Sequence, residues 1–404
     1  MSGMSAKRIV IVGAGQAGAR AAEALRAAEY PGSITIIGSE AHLPYERPQL
    51  SKELLLDGAA SPKYVRGADE WTSLGVDILT GVSVVGCDAL RQFVTLSNGR
   101  DCQYDKLLLT TGTNVRRLAS LEAGPVPLHY LRSIDDAVRL RQIMSPVSKI
   151  VLVGGGVIGL EVAAAAVERG CSVTIVEAGH NVLAQVGSAT LSEHFANLHR
   201  MHGVEIRTGV TVVGSEPGRL KLSDGSLCAA DFALVGIGVE PVVDIAVAAG
   251  LSAVDGIRVD ASGATEIENV YAAGDVALQW NSFSGRWTRI ENWANAQNQA
   301  VATARSMVGV GQAYDAVPWF WSDQYRTNLQ VAGNLNGVEQ VVRGNPGDGP
   351  FAIIGLRDGE VVGAATINHA REMAMLRRAI AGRARPPRGD LKNQGFDLRG
   401  LLRK

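Results

Sequence analysis

Residues 7–25 read KRIVIVGAGQAGARAAEAL. Ile9 to Val12 is an unbroken β-branched run, the mark of a parallel strand buried on both faces. Gly13, Gly15 and Gly18 follow in G-x-G-x-x-G spacing, and the Ala-rich stretch to about Ala28 predicts a helix. Gly13 permits the tight turn, Gly15 lets the backbone approach a pyrophosphate, and Gly18 lets the helix pack close to the strand. Phosphates would sit at the helix N-terminus, where unpaired N–H groups and the helix dipole favour an anion. A lone glycine motif is a weak signal. Here it stands between a strand and a helix, and a second strand, SITIIG at 33–38, runs up to acidic Glu40, about where a ribose-binding carboxylate belongs.

The pattern recurs at 149–161, KIVLVGGGVIGLE. Ile150 to Val153 predicts a buried strand, Gly154, Gly156 and Gly159 repeat the spacing, and Leu160 to Arg169 predicts a helix. The strand from Cys171 ends in Glu177, which lies 18 residues after Gly159. A carboxylate there can accept both ribose hydroxyls and repels a 2′-phosphate, which favours NADH over NADPH. The two units start roughly 140 residues apart, too long a period for a solenoid. One tightly held flavin and one nicotinamide donor explain two sites in one chain, because hydride passes only between rings anchored at contact distance.

The chain has 404 residues, 46% hydrophobic and 20% charged, with a net charge of -1. That size suggests two or three domains, and the charge gives no signature for nucleic acid or membrane partners. Cys87, Cys102, Cys171 and Cys228 form no close pair, so neither a redox dithiol nor a Cys-rich metal site is expected. Free thiols, no signal-peptide layout and no bilayer-length apolar stretch make a cytoplasmic enzyme the expectation.

Elsewhere the punctuation is local. In LPYERPQLSKELLL (43–56), Pro44 and Pro48 argue against a helix in the first half, and Ser51 reads as the N-cap of a following helix. Arg47 and Lys52 then stand at a loop–helix junction. That suits a bound anion or an electron-rich ring, although on spacing alone the plain reading is an exposed, solvated charge pair. Residues 71–80 predict a helix and 81–85 a strand. Asn98-Gly99, Asp224-Gly225 and Asp358-Gly359 mark hairpin turns. The run VYAAGDVA (270–277) predicts a buried strand ending at Asp275, which reads equally as an acceptor for a sugar-alcohol chain or as a helix cap. A helix near 291–304 should follow. WFWSDQY (319–325) is dense in aromatics, as core or as a face for a flat ring. Strands at 328–331, 340–342, 351–356 and 360–364 and a helix at 372–381 complete the chain. Residues 371–404 hold ten Lys/Arg against three Asp/Glu, a solvated tail or a surface steering an acidic protein.

Together these motifs resemble the ferredoxin reductases, the FAD-dependent branch of the pyridine nucleotide–disulphide reductase superfamily that includes rubredoxin and putidaredoxin reductases. The resemblance runs almost end to end. It is carried by IVGAGQAG (11–18), LPYERPQLSK (43–52), VLVGGGVIGLEVA (151–163), VTIVEA (173–178), YAAGDVA (271–277), ENWANAQNQ (291–299), PWFWSDQY (318–325) and LRDGEVVGAATIN (356–368). It implies an α/β chain with two Rossmann-like dinucleotide-binding domains and a C-terminal α+β domain. FAD-binding segments are expected at 1–115 and 244–320, an NADH-binding domain at 116–243, and an interface domain at 321–404.

By position, the resemblance implies that Gly13, Gly15, Ala17 and Gly18 cradle the FAD pyrophosphate. Ser39 and Glu40 lie by the adenosine ribose, although relatives often carry Asp where Ser39 stands. Arg47, Val82, Thr111, Arg132 and Asp275 complete FAD binding, and Trp293, Ala294 and Trp321 line the flavin ring. Lys52 sits near flavin N5, paired with Glu161. Gly154, Gly156, Ile158, Gly159 and Glu177 hold NADH. Relatives often place Arg near position 185, where this chain has Gln185. The superfamily's redox Cys pair has no counterpart in the 47–52 loop, which excludes disulphide reduction. The implied activity is hydride transfer from NADH to FAD, then single-electron transfers to a small [2Fe–2S] ferredoxin of a Rieske dioxygenase or cytochrome P450 system. The implied assembly is a monomer or homodimer, with no metal site of its own. Rubredoxin reduction or an NADH oxidase is the alternative within the class. An NADH-sensing interaction flavoprotein is the alternative outside it.

Overall fold

The computed structural model describes residues 7–347 and 349–402. They fall into two compact units. One comprises 7–47, 62–114 and 240–318; the other comprises 48–61, 115–239 and 319–402.

The first unit is built on a five-stranded parallel sheet in the order Val270–Ala272, Lys106–Leu109, Arg8–Val12, Ser33–Ile37, Val76–Leu79. Side chains alternate across the central strand. Ile9 and Ile11 enter one core with the helices Gln16–Ala27 and Trp293–Met307. Val10 and Val12 enter a second core with Val94, Leu96 and Val276. Burial on both faces is why the strand reads as a continuous apolar run. The first core uses small residues where helices meet: Ala17, Ala21 and Ala24 on one, Ala296, Ala300 and Ala304 on the other. An antiparallel sheet of Val84–Asp88, Phe93–Leu96 and Asp101–Gln103 carries the expected turn at Gly99.

Two secondary-structure expectations shift in this unit. The strand expected at 81–85 lies at Val84–Asp88. The segment read as a helix over 71–80 is a short helix, Ala68–Ser73, followed by the edge strand Val76–Leu79. The apolar spacing of so short a run fits either periodicity, and pairing of Ile36 with Ile78 decides it.

The second unit repeats the design. Its parallel sheet runs Glu205–Thr208, Ser172–Glu177, Lys149–Val153, Phe232–Val235, Leu128–His129. An antiparallel sheet of Val212–Glu216, Arg219–Leu222 and Leu227–Ala229 shares a core with Val151, Val153 and Val235. The last part is a five-stranded antiparallel sheet ordered Trp319–Gln324, Thr327–Gly333, Glu360–Ile367, Phe351–Arg357, Glu339–Arg343, with the helix Ala370–Ala381 packed on it. Buried Arg343 ties down the C-terminal segment: it donates to Glu372 at 2.9 Å and to the carbonyls of Gln394 and Phe396 at 3.0 and 2.9 Å. The fold is α/β, two Rossmann-like sheets and a C-terminal antiparallel domain. Among the described residues, no helix is long and apolar enough to cross a membrane.

Ser51 is not a helix cap. Residues Arg47–Ser51 form a 3-10 turn, with Pro48 in its first turn, where no backbone N–H is needed. The short helix Glu53–Leu56 that follows is preceded by Lys52 and has no side-chain cap. The Ser51 hydroxyl is spent elsewhere.

Candidate dinucleotide sites and ion pair

In the first unit, all five parallel strands deliver a predicted residue just past their C-terminal ends. Across the sheet these are Asp275, Thr111, Gly13, Ser39 and Val82. Open α/β sheets bind ligands at that edge. Gly13 has φ +118, and a Cβ there would meet the Thr110 carbonyl oxygen at 2.2 Å. A Cβ at Gly18 would meet the Gly13 oxygen at 2.0 Å, so strand and helix touch through backbone. Gly15 differs: no atom lies within 4 Å of its would-be Cβ. It caps Gln16–Ala27 in an extended conformation without a side-chain hydrogen bond. That leaves an open edge with uncapped N–H groups, which fits a pyrophosphate. Gly274 closes on Ala17, with 2.9 Å between its would-be Cβ and the Ala17 Cβ, and brings Asp275 beside the turn.

Glu40 is half-buried and paired. Arg47 Nη2 donates to its Oε1 at 2.6 Å, and the Tyr45 hydroxyl donates to Oε2. The Arg47 guanidinium also lies over the Tyr45 ring, 5.1 Å from its centroid. Val82 N–H donates to the Gly38 carbonyl at 3.0 Å, and Thr111 Oγ1 to the Val242 carbonyl at 2.6 Å. The helix-cap reading of Asp275 does not hold: Asn292 caps Trp293–Met307, accepting from Asn295 N–H at 2.8 Å. Trp293 and Ala294 begin that helix.

In the second unit, Gly154 and Gly159 repeat the backbone contacts of Gly13 and Gly18, with would-be Cβ atoms 2.4 Å from the Gly236 oxygen and 2.3 Å from the Gly154 oxygen. Gly156 caps Val157–Glu168 without a side-chain hydrogen bond, and Ile158 is exposed beside it. The Glu177 carboxylate accepts from Gly155 N–H and Gly179 N–H, both at 2.6 Å. A carboxylate has about four lone-pair sites, so two remain for a ribose. Gln185 stands at this turn, its amide nitrogen 3.5 Å from the Gly156 would-be Cβ. Arg132 lies just before the helix Ile134–Ile143, where its N–H donates to Asp136. Both turns therefore fit a dinucleotide.

The second unit also holds Lys52 and Glu161. Lys52 Nζ lies 3.3 Å from Glu161 Oε1 and 3.4 Å from Asp323 Oδ2. The reading of Arg47 and Lys52 as a solvated charge pair is thus overturned; each is bound to a carboxylate. Glu161 is only 5% exposed, on the helix Val157–Glu168. Its carboxylate accepts from the Ser51 hydroxyl at 2.5 Å and from the Ser322 hydroxyl at 2.7 Å. Burial raises the Glu161 pKa, opposed by Lys52 and the two serines. Trp321 lies in the same strand as Ser322 and stacks on Trp319, whose ring carries Arg377 on its face.

Ser51, Ser322, Asp323 and Gln324 were absent from the predicted site. Their signal was faint: Ser322 and Gln324 are alternate polar positions in an aromatic strand, hence on one face. All four cysteines are free thiols.

Comparison with known proteins agrees with this anatomy. The pyridine nucleotide–disulphide oxidoreductase family matches residues 7–300, and the reductase C-terminal family matches 319–402. The chain is 40% identical over 384 residues to the ferredoxin–NAD(+) reductase component of the p-cumate 2,3-dioxygenase system of Pseudomonas putida, covering 95% of each chain. It is 39% identical over 407 residues to that of the anthranilate 1,2-dioxygenase system of Burkholderia cepacia, covering 99% of this chain and 100% of the other. Among solved structures, it matches the covalent putidaredoxin reductase–putidaredoxin complex with a TM-score of 0.94, 33% identity and 98% coverage of both chains. The ferredoxin reductase for the CYP199A2 system of Rhodopseudomonas palustris matches at 0.93, with 32% identity, 98% coverage of this chain and 100% of that one. The chain belongs to the pyridine nucleotide–disulphide oxidoreductases and, within them, to the ferredoxin reductases.

Proposed function

We propose that this protein passes electrons from NADH, through FAD, to a small [2Fe–2S] ferredoxin serving a Rieske dioxygenase or a cytochrome P450. The observation that carries the proposal is the pair of uncapped glycine turns in one chain, each ready for a dinucleotide. The similar proteins from dioxygenase systems and the putidaredoxin complex supply the class of acceptor.

FAD, when bound, supplies a ring that takes an electron pair from NADH and releases it one electron at a time. The chain's own residues bind, orient and balance charge. Gly13, Gly15, Ala17 and Gly18 cradle the FAD pyrophosphate; Gly13 does so through the shape of its turn, because its N–H already donates to the Ile37 carbonyl at 2.8 Å. Ser39, Glu40, Arg47, Val82, Thr111, Arg132 and Asp275 hold the rest of the cofactor, with Trp293, Ala294 and Trp321 against its ring. Lys52 is the cation that offsets negative charge arriving at the ring edge, where a preorganised charge lowers the barrier. Glu161 fixes the Lys52 rotamer. Gly154, Gly156, Ile158 and Gly159 receive the NADH pyrophosphate. Glu177 accepts from the ribose hydroxyls and would repel a 2′-phosphate.

On this reading, 1–115 and 244–320 are the FAD-binding segments, 116–243 binds NADH, and 321–404 carries the ferredoxin interface. Four unpaired thiols fit the reducing cytoplasm. The test is to release and identify the flavin of the purified protein, then mix NADH-reduced protein with a [2Fe–2S] ferredoxin, a rubredoxin and oxygen in turn. FAD release with fastest reoxidation by the ferredoxin supports the proposal. Absence of flavin overturns it, and reoxidation by oxygen alone makes the protein an NADH oxidase.

A further inference from the structure

Behind Glu161 lies a line of polar side chains that the proposed mechanism does not use. Ser322 and Gln324 sit on one face of Trp319–Gln324, 0% and 1% exposed. Buried His199, on the helix Ala189–Met201, lies behind them. The heavy-atom distances are 2.7 Å from Ser322 Oγ to Glu161 Oε1, 3.0 Å from Gln324 Nε2 to Ser322 Oγ, 2.9 Å from His199 Nε2 to Gln324 Oε1, and 3.2 Å from the Tyr325 hydroxyl to His199 Nδ1. Tyr325 in turn stacks on exposed His202, ring centroids 3.7 Å apart.

Donor inventory fixes the direction of every link. An ionised Glu161 only accepts, so Ser322 must donate its single proton. Ser322 then accepts from Gln324, which needs the amide nitrogen toward Ser322 and the amide oxygen toward His199. That oxygen only accepts, so His199 carries its proton on Nε2. In the neutral ring Nδ1 is a bare acceptor, and the Tyr325 hydroxyl donates to it. Burial lowers the His199 pKa and keeps the ring neutral against the opposing pull of Gln324. Buried networks of this kind rigidify when every member is satisfied.

We propose that Tyr325, His199, Gln324 and Ser322 form one directed hydrogen-bond chain that fixes the rotamer from which Glu161 holds Lys52, which makes His199 and Gln324 positioning residues. The inference rests on the proposed function, because only there does the Lys52–Glu161 pair face a flavin. Gln324→Glu keeps the shape but removes the donor to Ser322: an ionised carboxylate only accepts, so it competes with Glu161 for the single Ser322 proton, while His199 and Tyr325 donate as before.

The experiment has two arms. In the first, ¹⁵N-histidine NMR of the wild-type protein, with the His199 signals assigned by their loss in His199→Asn, reads the tautomer. Protonation at Nε2 supports the chain; protonation at Nδ1 overturns it, whatever the enzyme does. In the second, FAD-loaded Ser322→Ala, Ser322→Thr and Gln324→Glu are reduced by NADH. Ser322→Ala and Gln324→Glu should slow reduction about tenfold at an unchanged KM for NADH and perturb the flavin absorption band, and Ser322→Thr should restore both. Wild-type rates and spectra in both disabled variants overturn the inference. A wild type that NADH does not reduce at all defeats the proposed function instead, and the tautomer still judges the chain.

Discussion

The two glycine turns share a register and differ where their next strands end. Ile37 pairs with Val12, and Val176 with Val153, so the two second strands superpose in pairing. In that register Glu177 stands where the first unit has Gly38, and Glu40 falls two residues further on. The room is exchanged accordingly. Ala14 in the first turn faces Gly38, whose would-be Cβ lies 2.4 Å from the Ala14 Cβ. The second turn has Gly155 in that place, and a Cβ there would meet Val182 at 2.8 Å and Glu177 Oε2 at 3.3 Å. A carboxylate directly at the strand end therefore requires a glycine in the turn, and it is held by backbone N–H groups. Glu40, displaced, is held by the Arg47 and Tyr45 side chains instead. The difference separates a carboxylate poised over its own turn, able to read a ribose, from one whose charge is already matched by a cation.

The comparison breaks most sharply at its shared feature. Gly18→Ala drives a methyl into the Gly13 carbonyl, which cannot move without the strand. We expect destabilisation above the usual 1–3 kcal/mol of overpacking, roughly, and loss of bound FAD. Gly15→Ala adds a methyl to open space, so the melting temperature should hold while FAD affinity falls. Thermal unfolding and the flavin-to-protein absorbance ratio together separate a packing glycine from a ligand-facing one, and equal losses of stability in both would refute the distinction.

The carboxylates come next. In Glu177→Gln one of the two backbone N–H groups loses its acceptor, and so does the ribose. A hydrogen bond to a charged group contributes about 1.5–3 kcal/mol, so kcat/KM for NADH should drop on the order of ten- to a hundredfold, with a smaller drop for NADPH. Unchanged cofactor preference would remove Glu177 from its role.

A smaller effect is expected in pH dependence. Burial raises the Glu161 pKa. As pH falls through that raised value Glu161 loses its charge, Lys52 loses its inner partner, and flavin reduction by NADH should slow. Stability moves the other way: the folded state holds the proton more tightly than the unfolded chain, so this group's contribution falls as pH rises from the ordinary carboxylate range to the raised value. Glu161→Gln should flatten both profiles. A wild-type-like reduction profile in that variant would show that another group titrates.

The smallest effect belongs to the basic C-terminal stretch. Much of its charge is matched locally: Arg385 pairs with Glu360, Arg388 with Glu339 and Arg399 with Asp397. Its last two residues lie outside those described. Exposed Arg378 and Arg383 are the useful probes. Neutralising both should raise the KM for ferredoxin a few-fold, roughly, and weaken its salt dependence, because exposed charges mainly steer encounter. An unaltered KM would make the stretch a solvated face.

What the sequence disclosed depended on how local each signal was. Both glycine turns, the strands that feed them and the hairpin at Gly99 rest on neighbours along the chain. The Ser51 hydroxyl reads locally as a cap, yet its acceptor, Glu161, lies 110 positions away. His199 and Gln324 meet across 125 positions, and nothing in either segment announces the other. Arg47 reads as solvated because Glu40, on the far side of Pro44, returns to it only in the folded loop. The edge strand Val76–Leu79 was misread because four residues carry too little periodicity to choose between helix and strand.

The central claim, electron flow from NADH through FAD to an iron–sulfur protein, is tested most directly by stopped-flow mixing. The FAD-loaded protein would be mixed with NADH and separately with NADPH, then with a panel of [2Fe–2S] ferredoxins and a rubredoxin. The account predicts fast bleaching of the flavin by NADH, slower bleaching by NADPH, and rapid return of colour on adding one of the [2Fe–2S] ferredoxins. Slow bleaching to a long-lived NADH complex that no ferredoxin reoxidises would contradict it and point to an NADH-sensing protein instead.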